Sequence, residues 1–135
     1  MDRLTPERRS WLMGRIRASD TGPERIVRSL VRKLGFRPRL NVAGLPGKPD
    51  LAFPKRKKAI FVHGCFWHRH SGCKYATTPK TKRAFWNAKF AANIARDGRV
   101  RRELRALGFS TIVVWQCQTR KPDMLSRRLK RFLAE

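Results

Sequence analysis

Acidic side chains are scarce in this chain: nine Asp and Glu stand against 33 Lys and Arg, a formal net charge of +24 over 135 residues. Small soluble domains usually carry a net charge of roughly 2 to 8 in magnitude, so a surface this positive calls for a polyanionic partner. Cysteine is also scarce, with residues only at 65, 73 and 117. An odd number without a secretion signal argues against a disulfide framework and leaves metal ligation or buried thiols. An apolar run of about 18 residues is lacking, as is a charged-then-apolar leader, so nucleic acid in the cytoplasm is the simpler polyanion and no membrane is expected. Internal repeats and low-complexity linkers are absent too. The length suits one domain, 1–135, in which any reactive site and any binding surface share a core.

What is present is a periodic apolar framework, 41% of the residues, broken by Gly and Pro. Thr5 to Arg17 carries Trp11, Leu12 and Ile16 among arginines, and reads as a short helix or as a basic arm, within residues 1–20, that orders on DNA. Ile26, Val27, Leu30, Val31 and Leu34 predict an amphipathic helix from Pro23 to Phe36, with Gly35 at its stop. Residues 50–53 and 58–62 predict two strands of a hairpin around the turn 54–57. His63 to Pro79 has no period and needs something other than apolar packing to order it.

Lys82 to Leu107 predicts a helix with Phe85, Ala88, Ala92 and Ala95 on one face, Val100, Leu104 and Leu107 beyond, and a bend at Gly98. The β-branched run Ser110 to Trp115 suits a buried central strand, and Pro122 opens a last helix with Met124, Leu125, Leu129, Phe132 and Leu133 inward. Interleaved helices and strands predict an α/β sandwich with a mixed sheet.

Cys65, His70, Cys73 and Cys117 make a Cys3His set of the kind that holds tetrahedral zinc, although Cys65 with His68 fits a zinc knuckle as well, and three buried thiols packed as small hydrophobes are the plain alternative. All three histidines fall within eight residues, beside Phe66 and Trp67. Imidazoles that move protons near neutral pH thus adjoin rings able to stack on bases, unless those rings only cap the core. Asp50 opens an apolar strand after a Gly-Pro loop, a place for a Mg2+ ligand or for a turn-former. Asp97 and Glu24 are suited to orienting a histidine or a metal-bound water, and equally to pairing with a surface arginine.

Gly47-Lys48-Pro49-Asp50-Leu51, Phe61 through His68 (FVHGCFWH), Phe85-Trp86, Asn93, Arg96-Asp97 and Val114-Trp115-Gln116-Cys117 closely resemble the very short patch repair (Vsr) DNA mismatch endonucleases, over about residues 10 to 118. The resemblance implies a restriction-endonuclease-like fold, with a mixed central sheet flanked by helices and a structural zinc. It also implies an enzyme that nicks one strand on the 5′ side of the T in a T:G mismatch. By that likeness Asp50 and the main-chain carbonyl of Val62 hold Mg2+, His68 is the base that activates water with Asp97 orienting it, and His63 and Glu24 complete the site. Cys65, His70, Cys73 and Cys117 correspond to the zinc ligands. Phe66, Trp67 and Trp86 correspond to rings wedged into the base stack, with Met13 entering from the arm, and Lys89 and Asn93 to mismatch readers.

A monomer on double-stranded DNA is expected, with mismatch-repair proteins or a cytosine methyltransferase system as candidate partners. Restriction enzymes usually follow their Pro-Asp with an acid, any residue and a lysine, where this chain has Phe61-Val62-His63. Ser71-Gly72 separate His70 from Cys73, where some family members have a single residue. The rival functions are a catalytically silent zinc module that binds nucleic acid by charge and stacking, and a basic RNA-associated structural protein.

Overall fold

Val27 and Val31 lie one turn apart and both are fully buried, so they set the inward face of the first helix, α1, Gly22–Lys33. The structure, a computed structural model, describes residues 22–135. The segment Thr5 to Arg17, including Met13, lies outside the described residues. Glu24 in the first turn of α1 and Arg32 and Lys33 in the last complement the helix dipole. The helix ends at Lys33, short of the expected Phe36, because Gly35 turns left-handed at φ 93°. Its N–H then donates to the Arg32 carbonyl at 2.9 Å and that of Phe36 to the Val31 carbonyl at 3.2 Å, which satisfies two terminal carbonyls.

The expected hairpin forms, and a further strand lies on each side of it. β1 (Arg39–Leu40) runs antiparallel to β2 (Leu51–Phe53), and β2 runs antiparallel to β3 (Lys58–His63). β4 (Ser110–Trp115) pairs parallel to β3 over six residues, from Lys58 opposite Ser110 to His63 opposite Trp115. The sheet order is β1-β2-β3-β4. β1 has no counterpart among the sequence expectations because two residues display no period.

β4 is an edge strand among the described residues, not the central strand its composition suggests. Both of its faces are covered, and that is what the β-branched run reports. Ile112 and Val114 turn toward one apolar cluster and Val113 toward another.

The first cluster packs α1 and α3 (Pro122–Ala134) against one face of the sheet through Val27, Val31, Leu51, Ile60, Leu125, Leu129 and Leu133. The second packs α2 (Arg83–Ala106) against the other through Ala59, Phe61, Val100, Leu104 and Phe109. The result is a mixed sheet flanked by helices. Within α3 the spacing of Leu125, Leu129 and Leu133 holds the inward stripe, while Met124, expected inside, is 63% exposed.

α2 departs from its predicted face. It is helical without interruption through Gly98, and of its apolar residues Phe90, Val100 and Leu104 are buried, whereas Phe85 is 56% exposed and Leu107, just past its end, is 51% exposed. Ala88, Ala92 and Ala95 are exposed as well. The inward stripe of its first half runs instead through Phe90, Asn93 and Asp97, two of them polar residues that face the site loop, so hydrophobicity alone misplaces it.

The loop from Asn41 to Lys48 is closed on the residues just before β2 by the N–H groups of Asn41 and Val42, which donate to the carbonyls of Asp50 and Pro49. Gly47 lies in this loop at φ 72°, and a Cβ there would fall 2.3 Å from a methyl of Val100 on α2. Gly47→Ala is therefore expected to cost about 2 kcal/mol or more of stability, from left-handed strain plus displacement of Val100. Chemical denaturation checks this; an unchanged midpoint would contradict the close approach.

Candidate active site and metal centre

Asp50 precedes β2 by one residue and is held there by backbone. The Val62 N–H, at the end of β3, donates to its Oδ2 at 2.7 Å. Glu24 approaches from α1 and shares a side-chain hydrogen bond with Asp50. Burial is the main force on the Asp50 carboxyl and raises it from 3.8 to about 7; the Val62 N–H opposes the rise, and the neighbouring Glu24 adds to it. Two carboxyl groups thus share a poorly solvated corner, an arrangement that a hard divalent cation would offset.

Across that corner His68 Nδ1 lies 2.6 Å from Asp97 Oδ2, joining the loop after β3 to α2. His63 stacks on His68, with ring centroids 3.8 Å apart and planes 7° from parallel, and its Nε2 is 4.0 Å from Asp97 Oδ1. Burial first, and then the neighbouring His68, lower His63 from 6.5 to about 4, so it stays neutral at physiological pH. The nitrogen and oxygen atoms of His63, His68 and Asp97 come within 4.8 Å of one another. The two imidazole rings are parallel, so their in-plane nitrogen lone pairs lie in separate planes and do not converge on one point between the rings.

Glu24, Asp50, Val62, His63, His68 and Asp97 all line one cavity of about 440 Å³. Every catalytic residue named from the sequence is therefore brought together. The same cavity is lined by Asn41, Lys48, Arg96 and Arg101, to which the sequence alone assigns no role. In so basic a chain a particular arginine carries no signal; only adjacency to Asp50 and Asp97 marks Lys48 and Arg96.

The loop 63–79 is folded by successive turns, with the N–H groups of His68, His70 and Cys73 donating to the carbonyls of Gly64, Cys65 and His70, and with Arg69 left-handed at φ 53°. The turns bring Cys65, His70 and Cys73 together. Parallel pairing then delivers Cys117 from the 3-10 helix that follows β4, Gln116–Arg120.

The four ligand atoms lie within 4.8 Å of one another, with His70 Nδ1 at 3.7 Å from Cys65 Sγ and 3.5 Å from Cys117 Sγ. A tetrahedral zinc, with bonds of about 2.3 Å to sulfur and about 2.0 Å to nitrogen, sets sulfur and nitrogen about 3.5 Å apart. The donor set could hold a zinc ion, and His70, not His68, is its imidazole. Burial pushes the Cys65 thiol up to about 12, a cost that a bound cation would offset.

Beside the cavity Phe66, Trp67, Trp86 and Phe90 form an aromatic cluster with centroid separations of 5.2 to 5.9 Å. Phe66, Trp67 and Trp86 remain half-exposed while Phe90 is buried beneath them, with the Arg69 guanidinium 4.2 Å from its ring centre. Asn93 donates to the Trp67 carbonyl at 3.0 Å and so fastens the loop to α2. Lys89 lies over Phe85, at 5.8 Å from its ring centre.

A mixed sheet flanked by helices, an acid and histidine cavity at one sheet end and an adjoining Cys3His cluster form an arrangement suited to a nuclease. Comparison with known proteins agrees. The family model described as DNA mismatch endonuclease Vsr matches residues 1–74. The type II nicking enzyme V.XorIIP of Xanthomonas oryzae pv. oryzae is 47% identical over 132 residues, covering 98% of this chain and 96% of that protein. V.NmeAIP of Neisseria meningitidis, also a type II nicking enzyme, is 39% identical over 134 residues, covering 99% and 95%. The DNA mismatch endonuclease Vsr of Escherichia coli K12 is 37% identical over 118 residues, covering 87% and 75%. The chain belongs to the Vsr DNA mismatch endonuclease family. No helix among the described residues is long and apolar enough to cross a membrane.

Purified protein is expected to carry one zinc per chain, and Cys117→Ala to lose it, as read by metal analysis; retention of zinc by that variant would exclude Cys117 as a ligand. Asp50, raised from 3.8 to about 7, is protonated in both folded and unfolded chains below pH 4. Between about 4 and 7 the unfolded chain gives up the proton first, so the folded state is increasingly disfavoured as pH rises, an effect complete above 7. Metal-free Asp50→Asn should therefore melt higher than the parent at pH 8, with the gap closing near pH 4. A gap independent of pH would show that Asp50 is not held in this way.

Proposed function

We infer that this chain is an endonuclease that nicks one strand of duplex DNA, on the 5′ side of the T in a T:G mismatch, by Mg2+-dependent hydrolysis of a phosphodiester. The observation that carries this reading is the convergence of Asp50 and the His68–Asp97 pair in one cavity of a Vsr-family protein. Asp50 and the main-chain carbonyl of Val62 would hold Mg2+. The N–H and C=O of a strand residue face the same edge, so the carbonyl of Val62 turns toward Asp50 as its N–H does. The ion, when bound, supplies Lewis-acid polarisation of the phosphate and neutralises the charge that builds on its oxygens.

The remaining roles belong to side chains. With Asp97 accepting from Nδ1, the Nε2 of His68 is left to take the proton of the attacking water. His63, kept neutral by burial, cannot compete for that charge, and two stacked imidazolium rings would repel. Glu24 completes the acidic corner beside Asp50. Lys48, Arg96 and Arg101 line the cavity and would draw the phosphate in.

Mismatch selection falls to the aromatic cluster. A T:G wobble pair is less costly to unstack than a matched pair, so Phe66, Trp67 and Trp86 gain selectivity as wedges, with Met13 entering from the N-terminal arm. Lys89 and Asn93 would read the displaced bases, Asn93 after holding Trp67 in place. Mismatch-repair proteins and a cytosine methyltransferase system are the candidate partners.

The test is cleavage of end-labelled duplexes carrying T:G or the matched pair, with and without Mg2+. The parent should nick only the T strand of T:G duplex, and only with Mg2+. Asp50→Ala should lose at least about a hundredfold in rate while binding the duplex as before. Nicking undiminished by that change would refute the catalytic assignment, and equal nicking of matched duplex would refute the specificity.

A further inference from the structure

Trp115 is used by none of the roles above, yet it stands between the two centres. It ends β4 directly opposite His63 in the parallel register, so the two side chains leave the sheet on the same face. Its indole lies flat on the His70 ring, with centroids 4.2 Å apart and planes 10° from parallel. The same indole meets His63 edge-on, at 5.4 Å and 76°. His63 in turn stacks on His68, which is bonded to Asp97.

The backbone that carries the indole is anchored. The main-chain N–H of Trp115 donates to Gln118 Oε1 at 2.9 Å, and Arg128 of α3 donates to that same oxygen and to the Val113 carbonyl, each at 3.0 Å. Rings therefore run without a break from a ligand of the Cys3His cluster to the pair that faces the phosphate. Aromatic contacts of these kinds constrain ring orientation as well as burying area. Orientation is what a proton-transfer pair requires.

We propose that Trp115 is a positioning residue that couples the Cys65/His70/Cys73/Cys117 cluster to the His63–His68 pair. A metal in the cluster fixes the His70 ring, His70 fixes the indole, and the indole edge sets the tilt of His63 against His68. The structural metal then does more than hold a loop closed: its occupancy and bond lengths reach the proton-transfer pair through one side chain. The proposal rests on the reading of His63 and His68 as phosphate-facing residues for its effect on rate, but not for the coupling itself.

The test uses the full chain with its cluster loaded with zinc, compared with the chain loaded with cadmium. The larger ion lengthens every bond to the ligands without emptying the cluster. Histidine ring resonances are followed by NMR. In the parent, exchanging zinc for cadmium should shift the rings of His63 and His68 as well as that of His70. In Trp115→Leu only His70 should respond to the exchange; with zinc loaded, kcat of that variant for nicking should fall about tenfold with KM unchanged, and Trp115→Phe should recover most of the rate.

His63 and His68 resonances that ignore the exchange in the parent would overturn the coupling, as would resonances that respond equally in the Leu variant. A zinc-loaded Leu variant with parental kcat would overturn the positioning role. If Trp115→Leu does not fold, Trp115→Met carries the comparison, with both the His63 and His68 shifts and the rate reduced; parental values for both would count against the proposal. A parent without nicking activity refutes the proposed function, while the NMR comparison still decides the coupling.

Discussion

The parallel pairing of β3 with β4 is the constraint on which both centres depend. Its six-residue register sets His63 beside Trp115 and thereby sends Cys117 toward the loop that leaves β3. A slip of one residue would turn Trp115 to the other face and carry Cys117 away from His70. Parallel strands also need a long connection, and here α2 supplies it. That connection is functional in itself, because the half of α2 that approaches the loop carries Asp97 to His68 and Asn93 to Trp67.

The site is destabilising for the fold. Of the buried polar and charged residues among those described, Glu24 and His63 line the cavity, and Asp50 beside them is held partly buried with its carboxyl raised to about 7. None of these burials follows from packing needs, since an apolar side chain would fill each position with less loss of hydration. The strain sits at one end of the sheet, and the two apolar clusters on its faces support it. Such local conflict between stability and chemistry is what a working site usually displays.

Charge distribution sharpens the same picture. The chain carries nine acids in all, and Glu24, Asp50 and Asp97 line the cavity. Elsewhere the positive surface is suited to collecting phosphate from any DNA, which gives affinity without discrimination. The half-exposed rings above Phe90 are flat apolar surfaces beside the cavity, of a different chemistry from that positive surface.

Much of this is legible along the chain because it is local. Helix and strand periods mark α1, the hairpin, β4 and α3 within a few residues, and the crowding of His and Cys between 63 and 73 marks the Cys3His cluster and the loop that reaches the cavity. Composition alone dictates a polyanionic partner. Pairing and direction are decided only by the tertiary structure. From spacing alone, His68 and His70 are equal candidates beside Cys65, and only the turns through Gly64 and Cys65 send one toward Asp97 and the other toward Cys117. The inward face of α2 escapes a reading by hydrophobicity because it follows Asn93 and Asp97, which face in to make hydrogen bonds and not to leave water. β4 looks central from its composition because side-chain burial reports covered faces, not neighbouring strands. Trp115 belongs to the family-like string Val114 to Cys117, but nothing along the chain gives it a role. Its place between His70 and His63 exists only once two strands far apart in sequence are laid side by side, and that contact is set by tertiary register rather than by any property of a tryptophan.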